Sequence, residues 1–396
     1  MRSVKVRRSL HSLSTCAKFS VLFERVWQSI RPVLSVVIPT YNCRDSLDLT
    51  LAGFSTQTMS RDDFELIVVD DGSTDDTALC CERYRDAMPI RYVFQEHAGR
   101  SIARNAGVER AVGVHLVMCD ADAIPCPEYL SAHREMLERR PDSLVLGEKI
   151  DILARWAPGM LDRYLRTFAD IHGEDPRLSG AISSARAQKL VTFLRPSDVL
   201  ASPKIIDEFV VDAEPVPDDA LGAALEGSPI AWTQLCTRNV SMSRSLFDRL
   251  GGFDESFVGW GLEDAELGYR ACLLGIRYVY APEAKNYHQL HERLEDRRRW
   301  RTCAENYRRF LVKHPHLGPL LYWRLLTKLM SPVEYAALAA RWEANVLHED
   351  YRRVAYGLAM AYCDLDDPSP EAARQSWLGR LVKRFDDAPP WSDVFV

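Results

Sequence analysis

The chain has 396 residues, 47% of them hydrophobic and 27% charged, which suits a large globular domain with a smaller appendage and excludes a disordered chain. Its 50 Lys and Arg against 56 Asp and Glu give a formal charge of −6, so no global basic field points to a nucleic-acid partner. Ten cysteines include no CxxC pair, and a chain of this size does not need disulfide staples, which predicts reduced thiols and a cytoplasmic setting.

Residues 1–32 read as a basic N-terminal extension. Arg2, Lys5, Arg7, Arg8, Lys18, Arg25 and Arg31 face a single acid, Glu24, and no apolar run is long enough for a signal sequence or a membrane span. Two readings stand side by side: an amphipathic arm peripheral to an anionic membrane, and a solvated extension.

From residue 33 the pattern becomes regular. Apolar, β-branched runs at "LSVVI" (34–38), "FELIVVD" (64–70), "IRYVF" (90–94) and "HLVMCD" (115–120) alternate with segments of helical period, which predicts βαβ units around a largely parallel, buried sheet. Asp45 is a candidate N-cap for "SLDLTLAGF", and Ser73 or Thr74 for "DDTALCCERY". In such folds ligands sit beyond the carboxyl ends of the strands, which directs attention to Pro39–Asn42, Asp70–Thr74 and Asp120–Asp122. No GxGxxG or GxxxxGK[ST] is present, so dinucleotide and P-loop readings lack their phosphate cradle.

Residues 151–230 are irregular, with "GEDPRLSG" and "DAEPVPDDALG" between short helical pieces, and read as an insertion packing over the ligand edge of the sheet. Residues 231–291 return to an ordered pattern, while 292–396 read as a helical C-terminal region beginning with "RRRWRTCAENYRRFLVKH".

Asp120-Ala121-Asp122 closes the fourth strand and projects two carboxylates from the sheet edge, a donor set for Mg²⁺ or Mn²⁺ bridging a diphosphate. The triplet alone is weak, because Asp364-Leu365-Asp366 has the same spacing in what reads as a surface loop. In "GWGLEDAELGYR" (259–270), glycines flank Trp260 directly before adjacent carboxylates. They permit a tight turn and a close approach of backbone to a ligand, and a carboxylate within reach of a hydroxyl can take its proton. The bland reading is the acidic first turn of a helix.

Taken together, "VVIPTYN", "VVDDGSTDDT", "GRSIARNAGVERAVG" and "VMCDAD" resemble the nucleotide-binding half of family-two glycosyltransferases of the GT-A fold, over residues 34 to about 150. Residues 239 to about 291 are similar to the catalytic segment shared by chondroitin-polymerase-type enzymes, β-1,4-galactosyltransferases and polypeptide N-acetylgalactosaminyltransferases. The resemblance implies an α/β, Rossmann-like, mostly parallel sheet flanked by helices, spanning residues 33–291: a nucleotide-sugar half at 33–150, the insertion, and an acceptor half at 231–291.

It further implies that Pro39, Thr40, Tyr41 and Asp71 line the uracil and ribose pocket, with Arg104 near the nucleotide or diphosphate and Asp120 and Ala121 at the ribose or sugar. Asp122 and His288 would hold the metal, with His291 as a competing ligand. Trp260, Gly261 and Glu263 would meet the acceptor, and Asp264 would act as general base. Leu262 stands where a third glycine is common, and Arg238 where a small residue often sits. The expected function is metal-dependent transfer of a hexose or N-acetylhexosamine from a UDP-sugar to a glycan, glycolipid or peptide hydroxyl. The rival is a non-catalytic nucleotide-sugar or carbohydrate-binding protein that has kept the fold.

Overall fold

The structure, a computed structural model, describes residues 32–211, 228–291 and 297–314 apart from Gly159, Leu161 and Gln188, together with Leu225, Gly318, Pro319 and Tyr322. The basic N-terminal extension and most of the helical C-terminal region lie outside the described residues.

The first half is the expected alternation: β1 (Leu34–Thr40), α1 (Arg44–Ser55), β2 (Phe64–Asp70), α2 (Thr77–Arg83), β3 (Ile90–Phe94), α3 (Arg100–Arg110) and β4 (His115–Cys119). A short β5 (Ala123–Pro125), α4 (Tyr129–Arg139) and the long β6 (Ser143–Ile152) follow. The insertion contributes β7 (Arg155–Trp156), α5 (Asp162–His172), α6 (Pro176–Arg186), β8 (Val191–Thr192), α7 (Pro196–Ala201) and a 3₁₀ turn. The chain then returns through β9 (Asn239–Ser243), α8 (Arg244–Leu250), α9 (Glu263–Leu273), β10 (Arg277–Gln289) and α10 (Arg297–Lys313).

Eight strands form one sheet in the order β3-β2-β1-β4-β9-β6-β10-β5. β1 to β4 are mutually parallel, as is the β6–β10 pair, whereas β9 runs antiparallel between β4 and β6 and β5 antiparallel beside β10. Strand alternation divides the core into two layers. Val36, Ile38, Leu66 and Val68 face a core with α1, α2, α4 and the insertion, and Val37, Ile67 and Val69 face one with α3, α8, α9 and α10. Gly107 lets α3 lie close on β1, because a Cβ there would come within 2.4 Å of Val37 Cγ1.

The expected caps are not used. Asp45 sits inside the first turn of α1, where it pairs with Arg44 at 2.6 Å and Arg155 at 2.5 Å. Ser73 and Thr74 are spent between loops instead: Asn42 N donates to Ser73 Oγ at 2.9 Å, and Thr74 N donates to Asn42 Oδ1 at 2.8 Å. Local capping patterns lose here to the need to join the loops after β1 and β2.

The described part of the insertion packs α7 against α1 and ties back to the end of β6 through Val211 N donating to Asp151 O. Its α5 and Val211 line a cavity with Asp151 and Leu290 at the sheet's ligand edge.

Candidate active site

The loops beyond β1, β2 and β4, the turn before α9 and the end of β10 converge at one end of the sheet. Beyond β2, Asp71 is 4% exposed and fully engaged: it accepts from Gln95 Nε2 (2.7 Å), Ala98 N (2.9 Å) and Gly99 N (2.9 Å), and pairs with His97 Nδ1 (2.9 Å). It thereby anchors the loop that carries His97, which stacks on Tyr41 with ring centroids 4.2 Å apart. Tyr41 is exposed, Pro39 is partly buried, and Thr40 is buried with its hydroxyl 3.1 Å from Cys43 Sγ. Asp71 thus braces the loop whose His97 stacks on Tyr41.

Asp120, Ala121 and Asp122 form a turn between β4 and β5. Thr50 Oγ1 donates to Ala121 O at 2.9 Å and Gln289 N to Asp122 O at 2.9 Å, so α1 and β10 both fix this turn. Ala121 itself is buried.

Arg104 is tied to two carboxylates of the chain itself. It is 2% exposed, with Nη2 on Asp120 Oδ1 and Nη1 on Glu263 Oε1, each at 3.0 Å. Burial penalises its charge, but Asp120 and Glu263 outweigh that and hold its pKa above the usual value. A guanidinium bonded to two carboxylates is a strut between the β4 turn and α9. Glu263, 4% exposed, is correspondingly occupied by Arg104, with Arg100 a further 3.7 Å contact.

Asp264, partly buried beside this pair, accepts from Ala265 N at 2.7 Å. Burial, then the charge of Glu263, pushes its carboxyl up to about 7.

The corner before α9 has positive φ at Gly259 (79°), Gly261 (96°) and Leu262 (76°). The glycines permit a close approach to the chain's own helix α10. A Cβ on Gly259 would lie 2.9 Å from Thr302 Cβ, and one on Gly261 would lie 3.3 Å from Cys303 Sγ, both on α10. Asn306 Nδ2 donates to the carbonyls of Val258 (3.1 Å) and Gly261 (2.9 Å), and Trp260 N to Thr302 Oγ1 (3.4 Å). Trp260 is partly buried against the same core. Helix α10 thus packs as one unit with the glycine corner, and the core runs across residue 291.

On the other flank Asp122, His288 and His291 come together, with one ligand atom from each lying within 4.8 Å of the others. His288 Nε2 is 3.7 Å and His291 Nε2 3.5 Å from Asp122 Oδ2. The two histidines that compete in the sequence are therefore partners in the fold.

Several residues escape the sequence reading. Asp151 and Lys149 lie on the same face of β6, with Lys149 Nζ 3.4 Å from Gln234 O. Burial is the first influence on Lys149 and keeps its ammonium pKa below the usual value. Their partners are far away in sequence, so no spacing marks them. Arg100 had a signal: it is four residues before Arg104 on one helix, hence on the same face.

The comparisons with known proteins bear on the family. Residues 35–189 match the glycosyl transferase family 2 profile, and residues 222–293 match a profile described as the N-terminal domain of galactosyltransferase. Validoxylamine A glucosyltransferases of two Streptomyces hygroscopicus subspecies, jinggangensis and limoneus, are each 32% identical over 308 and 372 residues, covering 75% and 90% of this chain and 64% and 73% of their own. Chondroitin synthase of Escherichia coli is 26% identical over 258 residues, 65% of this chain and 34% of its own length. A solved structure of S. aureus TarS 1–349 with UDP-GlcNAc overlays with a TM-score of 0.49 at 16% identity, over 86% of this chain and 91% of that one.

An eight-stranded, mostly parallel sheet with its polar loops gathered at one end is the GT-A architecture of a nucleotide-sugar-dependent glycosyltransferase. The chain belongs to glycosyl transferase family 2.

Proposed function

We propose that the chain transfers a hexosyl group from a UDP-sugar to a hydroxyl of a polyhydroxylated acceptor, with inversion at the anomeric carbon. The observation that carries this is the arrangement of Asp264 at one end of the Asp120–Arg104–Glu263 ion-pair line and the Asp122–His288–His291 cluster beyond the other strands. The glucosyltransferase names of the two Streptomyces relatives favour glucose as the sugar and a small soluble acceptor over a membrane glycolipid.

The donor set fits a divalent cation: one carboxylate and two imidazoles in mutual reach, with His288 Nδ1 already hydrogen-bonded to Asp151 at 2.9 Å so that Nε2 is left for a ligand. Two nitrogen donors suit Mn²⁺ better than Mg²⁺, which prefers oxygen. Asp122, His288 and His291 would hold such an ion, which would supply positive charge for the departing diphosphate.

The residues of the chain do the rest. Tyr41 and His97 offer a face for the nucleobase, and the Arg104 strut holds Asp120 and Glu263 in place. Asp264 accepts the proton of the acceptor hydroxyl as the new C1–O bond forms and the C1–O bond to phosphate breaks, the electron pair leaving with UDP. A pKa near 7 leaves this base substantially ionised and still basic at neutral pH.

The test is thermal stabilisation by UDP-glucose, UDP-galactose, both UDP-N-acetylhexosamines and GDP-mannose, with and without Mn²⁺, on wild type and Asp122→Ala. A UDP-sugar should stabilise wild type only with Mn²⁺, and the variant not at all. A shift with GDP-mannose alone, or equal shifts in both proteins, overturns the reading.

A further inference from the structure

Asp151, Arg238 and His288 form a row across three neighbouring strands. β9, β6 and β10 are consecutive in the sheet. Arg238 immediately precedes β9, Asp151 is near the end of β6, and His288 is the register partner of Asp151 on β10. One oxygen, Asp151 Oδ1, accepts from His288 Nδ1 at 2.9 Å and from an Arg238 guanidinium nitrogen at 3.2 Å. The opposite nitrogen of the same imidazole, Nε2, faces Asp122 Oδ2.

We propose that Asp151 is a positioning residue for the metal site and that Arg238 holds it in that role. This rests on the metal reading above. A carboxylate accepting from Nδ1–H fixes the tautomer that keeps Nε2 free of a proton, fixes the plane of the ring and makes the ligating nitrogen more basic. Unrestrained, a carboxylate at this distance could swing toward a cation itself. The Arg238 contact holds it on the far side of the ring. Arg238 thereby acquires a purpose at a position where a small residue often sits: it offsets the charge of a carboxylate that is partly withdrawn from water beside the Asp122–His288–His291 cluster. The backbone reinforces the row, since Asn286 Nδ2 donates to Arg238 O at 2.7 Å and Val211 N to Asp151 O at 2.9 Å.

The experiment is Mn²⁺ binding to the full chain, followed by loss of the free-ion electron paramagnetic resonance signal, alongside the metal-free Tm of each variant. Asp151→Ala should weaken Mn²⁺ binding by about 10- to 100-fold, and Asp151→Asn, which retains an acceptor oxygen, by less. Arg238→Met should weaken it several-fold, with metal-free Tm values close to wild type in all three. Asp122→Ala, lacking a ligand, should show no saturable binding. Wild-type affinity in both Asp151 variants, with Asp122→Ala inactive in binding, overturns the positioning role and leaves the metal site standing. An equal loss of metal-free Tm and of affinity in every variant also overturns it, as the mark of a structural role. No binding by wild type overturns the metal reading and this inference with it.

Discussion

At the scale of single residues, the raised pKa of Asp264 makes two linked predictions. As a base it must be ionised, so kcat/KM should rise about tenfold per pH unit below about 7 and level off above it. Asp264→Asn should lower turnover by about 100-fold or more while donor binding persists. A wild-type rate indifferent to pH across that range would move the base elsewhere. The same shift has a stability consequence. An acid whose pKa rises from about 3.9 unfolded to about 7 folded binds more protons when folded, so its contribution is complete at low pH and is lost as pH climbs through about 7. Asp264→Asn cannot ionise, so its Tm relative to wild type should rise as pH climbs from about 4 to about 7 and stay level above that, as calorimetry at several pH values would show. Leu262 illustrates a competition at one position. Its left-handed backbone costs about 1–2 kcal/mol, but its buried side chain stabilises by more, about 2–5 kcal/mol on truncation, and Leu262→Gly should therefore destabilise.

At the scale of elements, the glycine-rich corner and α10 are one unit. Gly259 and Gly275 both have positive φ, 79° and 66°, but a Cβ on Gly275 meets nothing within 4 Å whereas one on Gly259 runs into Thr302. Gly275→Ala should cost only the backbone term, about 1 kcal/mol, and leave turnover intact. Gly259→Ala adds an overpacking cost of about 1–3 kcal/mol and displaces the corner that presents Asp264, so both its urea midpoint and its activity should fall. Equal midpoints for the two variants would mean that α10 does not press on this corner.

At the scale of the whole molecule, α10 closes the second core layer. Tyr307, Phe310 and Leu311 are 3% exposed or less, and Trp232 meets Phe310 edge-on at 5.8 Å. Glu266, fully buried on α9, is paired by Arg270 (2.8 Å), Lys313 (2.8 Å) and His314 (2.9 Å). Burial raises its pKa, but His314, then Arg270 and Lys313, overcome that and hold it at about 2. A depressed carboxylate stabilises above its unfolded pKa, about 4.3, and loses that contribution as pH falls toward about 2. Glu266→Gln should therefore be less stable than wild type at neutral pH, with the gap closing through this acid window in equilibrium unfolding. A chain ending at residue 291 lacks Lys313, His314 and three large core side chains. At about 2 kcal/mol for each apolar group the loss rivals a typical margin of about 5–15 kcal/mol, and cooperative unfolding should disappear.

Much of this enzyme was legible along the chain, because its signals are local. Unbroken β-branched runs become parallel strands buried on both faces, and Asp122 and Asp264 follow turns that short motifs announce. The family resemblance rests on the same stretches. What the tertiary structure decided is every relation between distant segments. Whether His288 or His291 accompanies Asp122 has no answer in spacing, and the fold brings both. Nothing in the sequence marks Asp120 and Glu263, 16 and 159 residues away, as the partners of Arg104. Ser73 looks like a helix cap until Asn42 takes its hydroxyl. The glycines of the corner announce a close approach without saying to what, and α10 supplies the partner. Sequence determines local conformation through backbone sterics and hydrophobic period; the pairing of buried charges depends on which segments packing places within hydrogen-bond reach.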